Sequence, residues 1–306
     1  ALACLLAAGA AADAQAIDFK AHGWWVFSVN YGQNGNFTDK GHTGYDFLED
    51  DFEARSRVRL QLDAVASENL SGQVYFEIGK FIWGRATGAQ SGGALGADAT
   101  NMIKLRRAFL DWTVPDTRLK LRMGLQAVRS PYFALDGPTV LTSDAAAITA
   151  SLPINDNVAV TGFWMRPYND NYVAAPDRND SGFMDNMDVG GLTVPLRFDG
   201  WAATPWGIYA AIGPNTFRNN NGQFQNRVST PDGNYFFSGM FPLLANEKGI
   251  RKKTAHDYAN AWWAGFTGEL TMWDPLRVAW EFTYGSVSWG DAGYLDRKGW
   301  MGALLF

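Results

Sequence analysis

The chain has 306 residues, a formal net charge of -5 and a single cysteine, Cys4. The acidic balance argues against nucleic-acid binding, which favours a basic face. A single cysteine excludes an intramolecular disulfide and a cysteine-based metal site. After residue 16 the sequence contains no run of about 20 apolar residues, which excludes a membrane protein built from helices.

The N-terminal stretch ALACLLAAGAAADAQA, residues 1–16, is apolar and ends in Ala14-Gln15-Ala16. This A-x-A ending is the pattern of a signal-peptidase site. We interpret the stretch as the remainder of a secretory signal peptide, so the mature chain begins near Ile17. A buried N-terminal helix is the alternative interpretation.

The segment EARSRVRLQLD, residues 53–63, alternates strictly between polar side chains and small or apolar ones. Successive side chains of an extended chain point to opposite faces, so this pattern predicts a strand with one charged and one apolar face. Further strands, some with less regular alternation, are predicted over 19–31, 71–83, 103–114, 118–128, 145–153, 158–166, 187–198, 205–213, 258–272, 276–285 and 298–306. Pro195 lacks an amide donor and predicts a bulge or an unpaired site in its strand.

The connections between the predicted strands alternate between short and long. The short ones lie at 67–70, 115–117, 154–157, 198–204 and 273–275; the long ones lie at 32–50, 84–101, 129–144, 167–186, 214–257 and 288–297. Consecutive antiparallel strands reverse direction, so all short turns lie at one end and all long loops at the other. This is the layout of an outer-membrane β-barrel. A soluble β-sandwich, the alternative, gives no reason for the alternation.

In such a barrel the apolar side chains of each strand face lipid and the polar ones face a water-filled lumen. An arginine that faces lipid at the bilayer midplane costs about 2–4 kcal/mol, so three on one strand are expected to face the lumen. We therefore expect a charged, wet lumen without a packed core. The predicted pore-lining residues are Arg55, Arg57, Arg59, Glu77, Arg107, Asp111, Arg118, Lys120 and Arg122. For each arginine, an ion pair that only stabilises the wall is the alternative role.

The loop RSPYFALDGPTVLTSD, residues 129–144, carries Asp136 and Asp144 among apolar residues that are able to anchor it. We hypothesise that this loop folds inward and narrows the pore, with both carboxylates facing the arginines. Such a transverse field orients dipolar solutes and sorts ions by the sign of their charge. An ordinary extracellular loop is the alternative.

The segment DRNDSGFMDNMD, residues 177–188, matches the spacing of oxygen ligands in a calcium loop. The candidate ligands are Asp177, Asn179, Ser181 and Asp188. No helices are expected to flank this extracellular segment, and its last ligand is Asp instead of Glu. A solvated polar loop is therefore the favoured interpretation, and we expect no other cofactor.

The three histidines, His22, His42 and His256, are scattered along the chain. They form no cluster and show no Ser-His-Asp spacing, so we expect no enzymatic activity. Two alternatives to a channel stay open: an outer-membrane hydrolase and a non-conducting surface anchor on a β-barrel.

Four stretches resemble the homotrimeric outer-membrane porins of sulfate-reducing bacteria. They are DFEARSRVRLQLD, LRRAFLDWTVPDTRLKLRMGLQ, VAVTGFWMRPYNDN and VPLRFDGWAATPWGIYA, and the resemblance extends over essentially everything after residue 16. It implies a homotrimer of general-porin-like barrels, embedded in outer-membrane lipid, that pass small hydrophilic solutes and ions by passive diffusion. It also implies an inward third loop after the fifth strand. That loop would set Asp136 and Asp144 opposite the wall residues Arg55, Arg57, Arg59, Arg107 and Arg122.

The predicted fold class is all-β, a transmembrane antiparallel β-barrel. The pattern predicts about 12 strands, whereas the resemblance implies about 16. We therefore expect residues 17–306 to form a porin barrel that lacks about four C-terminal strands. A closed barrel of about 12 strands is the alternative.

Overall fold

The fold is known from a computed structural model. It describes residues 17–32, 38, 41–43, 51–87, 91–96, 103–169, 186–214, 216, 258–290 and 296–306. The strands are β1 (Asp18–Gly32), β2 (Asp51–Ser67), β3 (Leu70–Ile82), β4 (Ile103–Thr113), β5 (Lys120–Arg129), β6 (Thr142–Pro153), β7 (Ala159–Tyr168), β8 (Met187–Thr193), β9 (Leu196–Phe198), β10 (Trp201–Ile212), β11 (Ala259–Trp273), β12 (Leu276–Ser288) and β13 (Arg297–Leu305).

The strands form one 13-stranded sheet in which neighbours in sequence are neighbours in space. The exception is β8, which pairs with β10; the short strand β9 also pairs with β10. The predicted all-β antiparallel fold is confirmed. Among the described residues no pairing joins β1 to β13, so the closure of the sheet into a barrel stays a prediction. The described part of the chain also has no helix of the length and apolar character needed to cross a membrane.

Each predicted strand is present, and the segment 187–198 divides at Pro195 into β8 and β9 as its missing amide predicts. The alternation of connections is confirmed as well. The short connections are 68–69, 114–119, 154–158, 199–200 and 274–275; the long ones are 33–50, 83–102, 130–141, 169–186, 213–258 and 289–296.

The chain divides into two compact units, Ala1–Leu110 and Asp111–Phe306. In the first unit, the register sets Arg57 opposite Val26 and Arg59 opposite Trp24. Directly opposed residues point to the same side of a sheet, so the odd-numbered residues of β2 share one face with the even-numbered residues of β1. The polar residues of β2 on this face are Glu53, Arg55, Arg57, Arg59, Gln61 and Asp63. We call this the charged face. The other face of the unit is apolar and open, with Trp25 and Phe27 each 67% exposed.

In the second unit, strands β10 to β12 expose one face of the sheet and largely bury the other. The buried face carries a continuous hydrophobic cluster that includes Met165, Val189, Trp206, Ile208 and Trp263. Two of its rings lie against glycines of the neighbouring strand. A Cβ added at Gly265 or Gly285 would lie 2.4 Å from the ring of Trp206 or Trp263, so a larger residue would displace the ring.

The expectation of no packed core is therefore wrong for the second unit. In β11 the side chains alternate between buried and exposed positions although both kinds are apolar: Trp263 is 5% exposed and Trp262 is 40% exposed. The sequence of a strand that is apolar on both faces is a nearly continuous run of hydrophobic residues. Alternation in polarity therefore could not reveal which side chains of this strand are buried.

Candidate functional site

The charged face of the first unit is organised around one buried carboxylate, Glu77, which is 4% exposed. Arg59 lies opposite Glu77 in the register of β2 and β3, and its Nε donates to Glu77 Oε2 at 2.7 Å. Arg106 Nη1 donates to the same oxygen at 3.2 Å. One carboxylate thus holds two guanidinium groups. Arg106 was not predicted, because strict alternation assigns only one of the adjacent Arg106 and Arg107 to each face.

Aromatic rings accompany these arginines. The guanidinium carbons of Arg57 and Arg59 each lie 4.9 Å from the centroid of the Trp24 ring. The guanidinium carbon of Arg107 lies 5.4 Å from the centroid of the Tyr75 ring. These separations are within the range of attractive cation–π contacts.

The remaining arginines of β2 differ in their partners. Arg55 forms an ion pair with Glu53. Arg57 forms no ion pair with a carboxylate of the described residues, and its Nε has no hydrogen-bond acceptor among them. The structure thus brings Arg55, Arg57, Arg59 and Glu77 together on one face, as the sequence predicts. Their role in lining a pore stays a prediction.

A second ionic cluster lies in the second unit. Arg122 donates to both carboxylate oxygens of Asp111, from Nε at 2.7 Å and from Nη2 at 2.8 Å. Lys120 Nζ lies 2.9 Å from Asp111 Oδ2. Three residues that the sequence predicts to line the pore therefore meet in one triad, which carries a net charge of about +1 at neutral pH.

Arg118 does not belong to this cluster. It lies exposed in the turn 114–119, because β5 begins only at Lys120. The turn is held by hydrogen bonds from Thr117 Oγ1 to the Val114 carbonyl at 2.8 Å and from the Val114 amide to the Leu119 carbonyl at 2.9 Å. These bonds hold residues 114–119 as a turn, so that Arg118 precedes the first residue of β5. The predicted place of Arg118 on the strand wall is therefore wrong.

The loop that follows β5 is shorter than predicted. The Ser130 amide donates to the Leu141 carbonyl at 2.9 Å and closes the loop over residues 130–141. Asp144 consequently lies within β6, opposite Ala127, and its predicted place on the loop is wrong. Asp136 does lie in the loop and is exposed.

The loop 130–141 contacts distant strands of its own unit. Arg277 of β12 donates from Nη2 to the Phe133 carbonyl at 3.1 Å, while its Nε donates to Glu269 at 2.7 Å. Val140 and Leu141 belong to the hydrophobic cluster. Thr139 and Val140 also line a cavity of about 280 Å³ together with residues of β11, β12 and β13. The loop is thus held by one charged anchor and by apolar packing.

A second cavity of about 370 Å³ lies over β5 to β8. Its walls combine cationic, hydroxyl and apolar groups. The lining residues are Lys120, Arg122, Gln126, Ala127, Val128, Arg129, Thr149, Ser151, Thr161, Phe163 and Thr193. No sequence motif predicts this cavity, because its hydroxyl groups come from three different strands and meet only through the pairing of those strands.

The candidate calcium loop is only partly within the described residues. Asp188 lies in β8, where its two carboxylate oxygens accept hydrogen bonds from Arg166 at 2.8 and 3.0 Å. The predicted role of Asp188 as a loop ligand is therefore wrong. Asp177, Asn179 and Ser181 lie outside the described residues. Within the described ranges, no group of three or more His, Cys, Asp or Glu side chains is placed to hold a metal ion.

Comparison with known proteins gives structural likeness without a sequence family. No family model and no curated protein matches the chain. The fold is similar to OmpT, an outer-membrane protein of Vibrio cholerae folded in vitro and solved in a trimer form, with 10% identity, a TM-score of 0.29, and 95% of this chain and 99% of that chain covered. It is also similar to the outer-membrane channel DcaP of Acinetobacter baumannii, with 11% identity, a TM-score of 0.27, and 94% and 96% covered. At these TM-scores the function has to be argued from the contacts described above.

Proposed function

We propose that the chain forms an outer-membrane channel for passive diffusion of small hydrophilic solutes and ions. The observation that carries the proposal is the exposure of both faces of β1, one apolar and one polar. Along this strand every residue except Ser28 is exposed. Trp25, Phe27 and Val29 lie on one face, and Lys20 and His22 lie on the other.

Two solvents explain this arrangement. A strand face on which several neighbouring large apolar side chains are exposed is rare on soluble monomers, and lipid is the environment that favours such a face. The charged face needs water, because an arginine side chain facing lipid at the midplane would cost about 2–4 kcal/mol. A strand in contact with lipid on one side and with a water-filled lumen on the other satisfies both requirements.

We also propose that the loop 130–141 narrows the channel. The hydrogen bond from Arg277 to the Phe133 carbonyl supports this role, since it holds the loop against β12. The exposed carboxylate of Asp136 would then give the constriction a negative charge. A charged constriction sorts solutes by the sign of their charge.

The location and assembly follow from the same proposal. We place the channel in the bacterial outer membrane, with residues 1–16 as the export signal. A homotrimer is supported by the sequence resemblance to trimeric porins. Chemical crosslinking of the folded protein, followed by electrophoresis without heating, should show a species of three chains.

Planar-bilayer recording of the purified full chain tests the function. We expect stable open steps whose conductance rises in proportion to salt concentration, as for a water-filled pore. Bilayers that stay silent despite inserted protein would contradict the channel and favour a surface anchor. Esterase or phospholipase activity in the same preparation, lost on substitution of a single residue, would favour the hydrolase.

A further inference from the structure

The cavity over β5 to β8 has a regular arrangement of polar groups. Lys120 lies opposite Ser151, Ser151 opposite Thr161, and Thr161 opposite Thr193. These four residues therefore form one row across four neighbouring strands. Adjacent strands are about 4.8 Å apart, so the row is about 14 Å long. It has an ammonium group at one end and three hydroxyl groups along its length.

The hydroxyl groups of this row are able to bind a solute. Thr161 Oγ1 donates to Ser151 Oγ at 3.0 Å, which leaves the Ser151 hydroxyl with its own proton to donate. In the next row, Thr149 is held by Gln126, which is 2% exposed. Thr149 Oγ1 donates to Gln126 Oε1 at 2.9 Å, while Gln126 Nε2 donates to the Ala147 carbonyl at 2.8 Å. The buried Gln126 side chain thus holds the Thr149 hydroxyl in place in the wall of the cavity.

The charge at the end of the row favours an anion. Asp111 takes both hydrogen bonds of the Arg122 fork and also contacts Lys120. The triad keeps a net positive charge, and the Lys120 ammonium still has donors to offer because it has three. Arg129 lines the cavity at the opposite end of β5. A cationic ligand would meet only positive net charge here.

The volume of the cavity and its apolar lining residue restrict the class of ligand that fits. The cavity of about 370 Å³ lies within the range of about 300–1,000 Å³ that is usual for small-molecule sites. Phe163 supplies one apolar surface against which the C–H groups of a carbon chain can pack. A ligand that satisfies all these groups carries several hydroxyls and one anionic end.

We propose that this cavity binds small polyhydroxylated carboxylates, such as sugar acids, with the carboxylate at Lys120 and the hydroxyls at the neighbouring Ser151 and Thr161. The proposal rests on the proposed function in one respect, since the solute would reach the cavity through the lumen. The site would raise the local concentration of such solutes and favour their passage over that of neutral sugars.

Calorimetric titration of the detergent-folded full chain tests the binding directly. The probes are gluconate, glucose and butyrate, which share either the hydroxyls or the carboxylate of the expected ligand. We expect gluconate to bind at least about five-fold more tightly than glucose or butyrate, because only gluconate uses both parts of the site. Equal affinities for gluconate and glucose, or no binding of gluconate, would overturn the proposal.

Two variants separate the parts of the site. Lys120→Gln should weaken gluconate binding about five- to ten-fold and leave glucose binding unchanged. Thr161→Val, which keeps the shape of the side chain, should weaken gluconate and glucose binding alike by about three-fold. The control Lys80→Gln removes the same charge from an exposed lysine outside the cavity. If the control loses as much gluconate affinity as Lys120→Gln, the effect is a general charge effect and the proposed site is wrong.

Bilayer recording with gluconate distinguishes this proposal from the channel itself. Open steps without calorimetric gluconate binding would overturn the site and keep the channel. Gluconate binding without open steps would overturn the channel and keep the site. Where both hold, added gluconate should reduce the open current more than the same concentration of glucose, and Lys120→Gln should remove that difference.

Discussion

Strands β1 and β2 of the first unit and strands β10 to β12 of the second both present an exposed apolar face, but they differ in what lies opposite. Behind the first is the charged face with Arg55, Arg57 and Arg59, whose side chains are half-buried. Behind the second is the hydrophobic cluster around Trp206 and Trp263, to which the loop residues Val140 and Leu141 belong. The same kind of strand is thus backed by charged side chains in one region and by packed apolar side chains in the other.

This difference assigns separate tasks to the two regions. Partly hydrated charged side chains can hold water and ions but contribute less to stability than apolar packing, because ion pairs near the surface are worth about 0–1 kcal/mol each. A packed apolar face contributes stability and supplies a fixed surface for a loop. We therefore expect conduction to respond most to changes in the first unit, and folding to changes in the second.

The largest effect is expected for Trp263→Ala. This change should lower the free energy of unfolding by about 3–5 kcal/mol, because it empties a buried ring position within the hydrophobic cluster. Urea unfolding of the protein in detergent micelles measures the loss. The adjacent Trp262→Ala, on the exposed face, should cost clearly less. Equal losses at the two positions would show that this strand has no packed side.

The next effect is expected for Leu60→Arg on the apolar face of β2. An arginine that faces lipid near the midplane should lower the free energy of unfolding by about 2–4 kcal/mol. The matched change Gln61→Arg, on the charged face, should stay within about 0.5 kcal/mol of the unaltered protein. Unfolding in lipid vesicles measures both. A cost that is equal at the two positions would contradict the assignment of lipid to the apolar face.

A smaller effect on stability, with a clear effect on conduction, is expected for Glu77→Gln. The change should cost about 1–2 kcal/mol, since Arg59 and Arg106 lose their shared carboxylate but stay partly hydrated. It should also move the reversal potential in a salt gradient toward anion preference. Glu68→Gln, in the exposed turn between β2 and β3, removes the same charge and should change neither quantity. An unchanged reversal potential for Glu77→Gln would show that these arginines do not face the ion path.

The smallest effect on stability is expected for Arg277→Gln, which removes the charged anchor of the loop 130–141. The loss should be about 0.5–1 kcal/mol, because the arginine is partly exposed and the apolar packing of Val140 and Leu141 is kept. Single-channel recording should show a larger open conductance or added current noise. The control Arg197→Gln, on β9, should leave the current unchanged. A current unaffected by Arg277→Gln would show that the loop does not narrow the channel.

Much of the fold could be predicted because the best-patterned strands are charged on one side and apolar on the other. In β2 each arginine alternates with a small or apolar side chain. A shift of one residue in the pairing register would turn every side chain of the strand to the opposite face of the sheet. Pro195 marked a break in pairing for an equally local reason. The strands of the second unit could be located but not oriented, since Trp262 and Trp263 look alike in sequence and have opposite surroundings in the fold.

The site was predictable only where it follows strict alternation. Arg59 and Glu77 lie on the same face, as alternation predicts, whereas Arg106 joins them against the pattern. Arg118 and Asp144 were misplaced because hydrogen bonds in the turn 114–119 and at the neck of the loop shift the ends of β5 and β6 by two or three residues. The row of hydroxyls over β5 to β8 depends on register between strands, which no local pattern encodes.

The most direct test of the account is a cysteine-accessibility measurement along β2 in lipid vesicles. Single cysteines replace Arg57, Arg59, Leu60 or Leu62 in a background with Cys4→Ser, and each is treated with a water-soluble, membrane-impermeant thiol reagent. We expect rapid labelling at positions 57 and 59 and protection at 60 and 62. Labelling that is equally rapid at all four positions, or faster at Leu60 and Leu62, would contradict the assignment of water to the charged face and lipid to the apolar face.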